Sequence, residues 1–267
     1  MAETITSAAN PLVKRMRLLA DRKHRRAQGA FLVEGIGPVW RAVEAGWPIE
    51  ALITGEDLKP DSPAAAMVAE QESNGTRVAR LTTELLGRLS SRDGPAGLAA
   101  IVTARHATLK DLAVPHNAVF VALHQIGNPG NLGTIIRTAD ATGSAGVVLL
   151  GDTTDPYAPA AVKASMGSLF AMNLAHASAA EFLTWAEANG IAVLAATGSG
   201  DTDHWHATYR PPLAVLLGSE GEGLPAGLLA RASQRLRIPM TGTADSLNVA
   251  VAAAITLYEI RRQLRPR

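Results

Sequence analysis

The chain has no cysteine among its 267 residues, which excludes disulfide staples, cysteine nucleophiles and thiolate metal sites and fits a reducing, cytoplasmic setting. Aromatic residues make up only 4% of it, so an extended base-stacking platform of the single-strand-binding kind is not expected. Hydrophobic residues reach 47%, yet every apolar run breaks at a charged or turn residue well short of the roughly 18 that span a bilayer. The opening Met1-Ala2-Glu3-Thr4 lacks the basic-then-apolar layout of a secretory signal, so a soluble, unexported protein with no membrane partner is expected. Neither a Walker-type Gly…Gly-Lys-Ser/Thr nor a Gly-x-Ser-x-Gly elbow occurs, so nucleotide hydrolysis and serine hydrolysis lack their apparatus. A net charge of +1 exerts little overall pull on a polyanion.

The distribution of charge says more than the sum. Lys14, Arg15, Arg17, Arg22, Lys23, Arg25 and Arg26 crowd one segment in which Asp21 is the only acid, and Leu12, Met16 and Leu19 recur beneath them at helical spacing. This reads as one amphipathic helix with a cationic outer face. A solvated surface is the bland alternative, but cations so weakly compensated repel one another unless a polyanion lies near. RNA contact is therefore expected of Lys14, Arg15, Arg22, Lys23, Arg25 and Arg26.

Along the chain, strand-like and helical patterns alternate. Strands are expected at Phe31–Val33, Ile49–Ile53, Arg77–Leu81 and Leu98–Val102, with helices at Val39–Ala45 and Pro63–Glu72. The polar stretch Ala104–Asn117, carrying Pro115, reads as a linker. Beyond it, strands are expected at Val119–Leu123, Gly146–Leu150, Leu169–Leu174, Ile191–Ala195, Leu213–Leu217 and Leu236–Ile238, separated mostly by helical patterns. Such alternation predicts an α/β fold whose mainly parallel sheet is covered on both faces. The expected domains are 1–104, a 105–117 linker and 118–267.

Three blocks in the larger domain put glycines and small polar groups at strand ends, where an α/β sheet builds its pocket. They are Asn128-Pro129-Gly130-Asn131-Leu132-Gly133 with Arg137 following, Leu217-Gly218-Ser219-Glu220-Gly221-Glu222-Gly223-Leu224, and Ile238-Pro239-Met240 with Ser246-Leu247-Asn248. Gly221 and Gly223 are read as letting backbone approach a flat ligand, and Asp245 or Ser246 as capping a last helix whose buried face is Leu247, Val251, Ala254 and Tyr258. In order and spacing the blocks resemble the SpoU/TrmH family of RNA ribose 2′-O-methyltransferases. Asn10 to Lys14, Arg25-Arg26, Phe31 to Gly35 and the turn Arg92 to Gly97 are similar to the family's RNA substrate-binding domain, a smaller ribosomal-protein-like α/β fold. One departure is visible: Ile126-Gly127-Asn128 stands where the family has an aspartate before the proline.

The resemblance implies a SPOUT domain with a trefoil knot, S-adenosyl-L-methionine as cofactor, a homodimer, and structured RNA as substrate, ribosomal rather than transfer RNA. It implies that Arg137 is catalytic, that Asn131, Glu220, Ser246 and Asn248 orient it and the substrate, and that Gly198, Leu217, Gly218, Ile238, Met240 and Leu247 contact the cofactor. Glu220 could be an exposed loop carboxylate, whereas a buried one would need a partner such as Arg137. No metal is expected. His204-Trp205-His206 reads as loop residues rather than ligands, and Gly198-Ser199-Gly200 lacks the third glycine of a dinucleotide fingerprint. The rival readings are a non-catalytic RNA-binding or ribosome-assembly factor and a base methyltransferase.

Overall fold

Strands buried on both faces read as unbroken aliphatic runs, and the second half of the chain is built from them. The computed structural model describes residues 4–89 and 97–265. Its elements run β1 (Thr4–Ile5), α1 (Pro11–Leu18), α2 (Arg22–Gln28), β2 (Ala30–Glu34), α3 (Ile36–Glu44), β3 (Ile49–Gly55), α4 (Pro63–Ser73), β4 (Arg77–Leu81), α5 (Thr83–Leu89) and β5 (Leu98–Thr103). They continue with β6 (Val119–His124), α6 (Pro129–Ala141), β7 (Gly146–Leu150), α7 (Pro159–Ser165), β8 (Leu174–Ala177), α8 (Ala179–Ala188), β9 (Ala192–Ala196), β10 (Thr202–Asp203), β11 (Leu213–Leu217), α9 (Ala226–Arg231), β12 (Gln234–Arg237) and α10 (Val249–Leu264). Two units result: Met1–Arg105 with Asp155–Ala171, and His106–Thr154 with Met172–Arg267.

The first unit carries a mixed sheet in the order β1-β4-β3-β5-β2, with β5 antiparallel to β2 and β3. Leu12, Val13, Met16 and Leu19 pack with Ile53, Leu81 and Ile101 in its core. The expected single basic helix is instead two. Asp21, the lone acid of the segment, caps α2 by accepting from the Lys23 N–H at 2.7 Å, and this cap breaks the helix. Arg25 also departs from expectation. It is only 6% exposed, donates to the Leu19 and Ala20 carbonyls at 2.9 and 2.8 Å and pairs with Asp155 at 2.8 Å. Burial of its fork among these acceptors takes it off the cationic face.

Asp155–Ala171 joins this unit through an aromatic cluster. Phe31 stacks on Tyr157 at 4.4 Å, and the Trp47 indole N–H donates to the Phe170 carbonyl at 3.0 Å. Ser168–Phe170 is accordingly a 3-10 turn and the next strand starts only at Leu174, not at Leu169 as its apolarity implied. Of the turn expected at Arg92–Gly97, residues 92–96 lie outside the described residues; the Gly97 carbonyl accepts from the Gly55 N–H at 3.0 Å.

The second unit is a seven-stranded sheet in the order β10-β12-β9-β11-β6-β7-β8, every pairing parallel. One face packs Phe120, Ala122, Val148 and Leu216 against Phe182 of α8 and Leu228 of α9. Alternate residues point the other way, the side on which α6 and α10 pack together. The expected linker is part of this unit: Leu109 and Leu112 enter the core cluster, and Ala107 bridges Ala175. α10 begins later than expected, because Asn248, not Asp245 or Ser246, caps it by accepting from the Ala250 N–H at 2.9 Å. Its buried residues are therefore Val249, Ala250, Ala253, Thr256, Leu257 and Ile260, and Val251 and Tyr258 face outward. No helix among the described residues is long and apolar enough to cross a membrane.

Candidate active site

The carboxyl ends of β9, β11 and β12 open onto a cleft of about 520 Å³, with β11 inserted between β9 and β6. Such strand ends are where parallel sheets hold ligands. All six residues expected to hold the cofactor line this cleft: Gly198 after β9, Leu217 and Gly218 ending β11, Ile238 and Met240 after β12, and Leu247 before α10. Glu220, Ser246 and Asn248 line it too, as do Ala252 and Thr256 of α10, which sequence reasoning did not single out.

Gly218 has a reason of its own. A Cβ there would lie 2.2 Å from the Gly223 carbonyl carbon and 2.6 Å from the Leu224 nitrogen, so the 218–224 loop, closed by a Ser219–Gly223 bridge, requires glycine for its own backbone approach. Gly223 has φ +68 and serves the same turn. At Gly198, by contrast, a Cβ would meet nothing within 4 Å. This glycine leaves space beside the cleft.

Asn131, Glu220 and Asn248 come together from α6, the β11 loop and the cap of α10. Asn248 Nδ2 donates to Asn131 Oδ1 at 3.1 Å, and Asn131 Nδ2 donates to Glu220 Oε1 at 2.8 Å. Both ends of the chain fix its direction. Glu220 as a carboxylate only accepts, and Asn248 Oδ1 is already engaged by the Ala250 N–H, so each amide has one possible orientation. Glu220 is exposed, and its partner is Asn131, not Arg137. Arg137 is exposed on α6, about 9 Å along the helix from Asn131 at 1.5 Å per residue, and makes no hydrogen bond or ion pair among the described residues.

The departure at position 128 keeps the helix cap. Asn128 Oδ1 accepts from the Gly130 and Asn131 N–H groups at 2.8 and 3.2 Å, capping α6 at the residue that begins the polar chain. Asn and Asp cap about equally well, and Pro129 at the first helical position completes an N-terminal signal that the sequence displays openly. His124 ends β6 just before this loop, with a buried Nδ1 and a pKa pushed down by desolvation, so it stays neutral. The two histidines around Trp205 have separate surroundings: His204 is buried against the Trp205 ring, and exposed His206 sits 3.7 Å from Asp203. Among the described residues no three or more acidic or histidine side chains gather as metal ligands would.

Residues 118–258 match the model of the SpoU rRNA Methylase family, and residues 10–100 match an MRM3-like substrate binding domain. The chain belongs to the SpoU family. Among its relatives, a Streptomyces viridochromogenes 23S rRNA (uridine(2479)-2′-O)-methyltransferase is 33% identical over 98% of this chain and 93% of the relative. The Bacillus subtilis 23S rRNA (guanosine(2553)-2′-O)-methyltransferase RlmP is 28% identical over 96% and 98%. An AdoMet-bound rRNA methyltransferase from Sinorhizobium meliloti superposes with a TM-score of 0.91 at 37% identity, covering 99% of both chains. The parallel sheet, the cleft at its carboxyl edge and the preceding mixed sheet are thus the SpoU architecture, matched over nearly the whole length.

Proposed function

We propose that this SpoU protein transfers the methyl group of S-adenosyl-L-methionine to a ribose 2′-hydroxyl of ribosomal RNA in the cytoplasm. The observation that carries this reading is the directed chain Asn248–Asn131–Glu220, which locks the first turn of α6 over the cleft. The 2′-O-methyltransferase names of two relatives and the AdoMet-bound neighbour support it.

The cleft fits the cofactor. Leu217, Ile238, Met240 and Leu247 offer apolar walls, Gly198 leaves open space, and exposed loop backbone supplies polar groups. Bound S-adenosylmethionine supplies a methyl group already activated by its positive sulfonium. What remains for the protein is to align the acceptor and support the oxygen as it loses its proton. Arg137 takes that task. Its guanidinium offers only N–H donors and so does not accept the proton, but its planar fork can hold a phosphate and stabilise a developing alkoxide, while solvent or the substrate takes the proton. Asn131, Glu220 and Asn248 tie the first turn of α6, the helix that carries Arg137, to the β11 loop and the cap of α10, and Ser246 lines the cleft.

In this reading residues 1–104 bind RNA. Lys14, Lys23 and Arg26 are exposed and carry no ion pair among the described residues, so they stand as phosphate contacts. Arg15 is shared with Glu50 and Gln28, Arg22 buries its Nε, and Arg25 faces inward, which narrows the expected set. A homodimer through the outward Val251 and Tyr258 of α10, and the family's trefoil knot, belong to the same proposal. The test is Arg137→Ala. Turnover should fall by about a hundredfold or more with cofactor affinity unchanged by calorimetry, and Arg137→Lys should recover little, since a point charge lacks the fork. An Arg137→Ala protein with normal turnover would contradict the assignment.

A further inference from the structure

Gln125, the first residue beyond β6, has φ 54, a left-handed conformation that side chains disfavour. The surrounding loop over-determines it. Its N–H donates to the Leu150 carbonyl at 3.2 Å, and the Thr154 N–H donates to the Ile126 carbonyl at 2.8 Å. The Thr153 hydroxyl, buried behind it, reaches the Leu123 and Leu150 carbonyls at 3.3 and 3.0 Å. Strained backbone held this firmly is the mark of a residue whose direction matters.

With this backbone the glutamine lies over Gly151, a Cβ at which would sit 3.9 Å from Gln125 Nε2. The residue is exposed, and its stem runs beside Gly151 at the end of β7, where a Cβ would sit 3.7 Å from Gln125 Cγ. Its carboxamide has no partner among the described residues. Three residues on lies Asn128, the cap of α6, so the free amide stands at the same sheet edge as the Asn131 chain. A neutral amide does not neutralise phosphate. It presents one donor beside one acceptor, which matches the edge of an unstacked base.

We propose that Gln125 reads a nucleobase edge of the RNA at or next to the methylated ribose. This inference rests on the proposed reaction. The two named relatives act on a uridine and a guanosine, so base choice must come from positions other than machinery common to both.

Gln125→Gly relieves the backbone, which Tm reads, and removes the amide, which kcat/KM reads. The full-length variant should keep or raise its Tm and bind S-adenosylmethionine as before. With an in vitro 23S rRNA transcript as probe, its kcat/KM should fall by about tenfold or more. Gln125→Ala should show the same loss, and Gln125→Asn, which tolerates the left-handed backbone and keeps an amide, should recover part of it. The slope of log affinity against log salt should not change, since no counterion release is lost. A lowered Tm for Gln125→Gly would overturn the strain argument. Unchanged kcat/KM in both the glycine and alanine variants would overturn the recognition, and a flattened salt slope would show a phosphate contact in its place. Should the unaltered chain fail to methylate the transcript while binding it, the proposed reaction would fail, and this inference with it.

Discussion

Two glycines at the cleft have opposite reasons for being glycine, and the difference is measurable. Gly218 is bound by its own loop: with a Cβ 2.2 Å from the Gly223 carbonyl carbon, even alanine must displace backbone. Gly218→Ala should therefore lower thermal stability along with cofactor affinity. Gly198 faces open space, so Gly198→Val should fold as the unaltered chain does and weaken S-adenosylmethionine binding by about tenfold or more in calorimetry, a typical penalty for overfilling a fitted space. The family resemblance assigns both residues alike to cofactor contact. Only the backbone path separates the one that shapes the loop from the one that shapes the cleft. The same holds for Glu220, whose partner is Asn131, a residue 89 positions away in the chain.

At the level of elements, the cap of α6 decides whether the polar chain has a fixed starting point. Asn128→Ala should cost about 1 kcal/mol in urea unfolding and reduce turnover, because Asn131 sits in the turn that the cap organises; Asn128→Asp should be close to neutral. The buried strands β6, β7 and β11 are legible because fully buried strands of a parallel sheet carry aliphatic residues at every position. Three elements depart from expectation, two through local capping and one through a tertiary contact. The basic segment splits where Asp21 finds a cap, a competition between local side-chain bonding and helical periodicity. Leu169 and Phe170 look like strand, but an aromatic cluster from residues more than a hundred positions earlier claims Phe170. Asn248 caps α10 and leaves Leu247 outside the helix, and the residues that pack are Val249, Ala250, Ala253, Thr256, Leu257 and Ile260 rather than the stripe through Val251 and Tyr258.

Over the whole molecule, the chemistry and the cation-rich helices fall in different units, which makes their contributions separable. Charge reversal at Lys23 and Arg26 should weaken RNA binding and reduce the salt slope by about one for each phosphate that the protein then leaves unneutralised. Arg25→Ala should behave otherwise, destabilising the protein by about 3 kcal/mol or more because Asp155 is left partly buried and uncompensated, with the slope preserved in the fraction that remains folded. Methyl transfer to a ribose oxygen leaves a product that reports it. Ribosomal RNA incubated with the protein and methyl-labelled S-adenosylmethionine should, after alkaline hydrolysis, hold its label in a single alkali-resistant dinucleotide, because a methylated 2′-oxygen cannot attack the neighbouring phosphate. Label released with a base in an ordinary mononucleotide, or no transfer at all by the folded protein, would contradict the account.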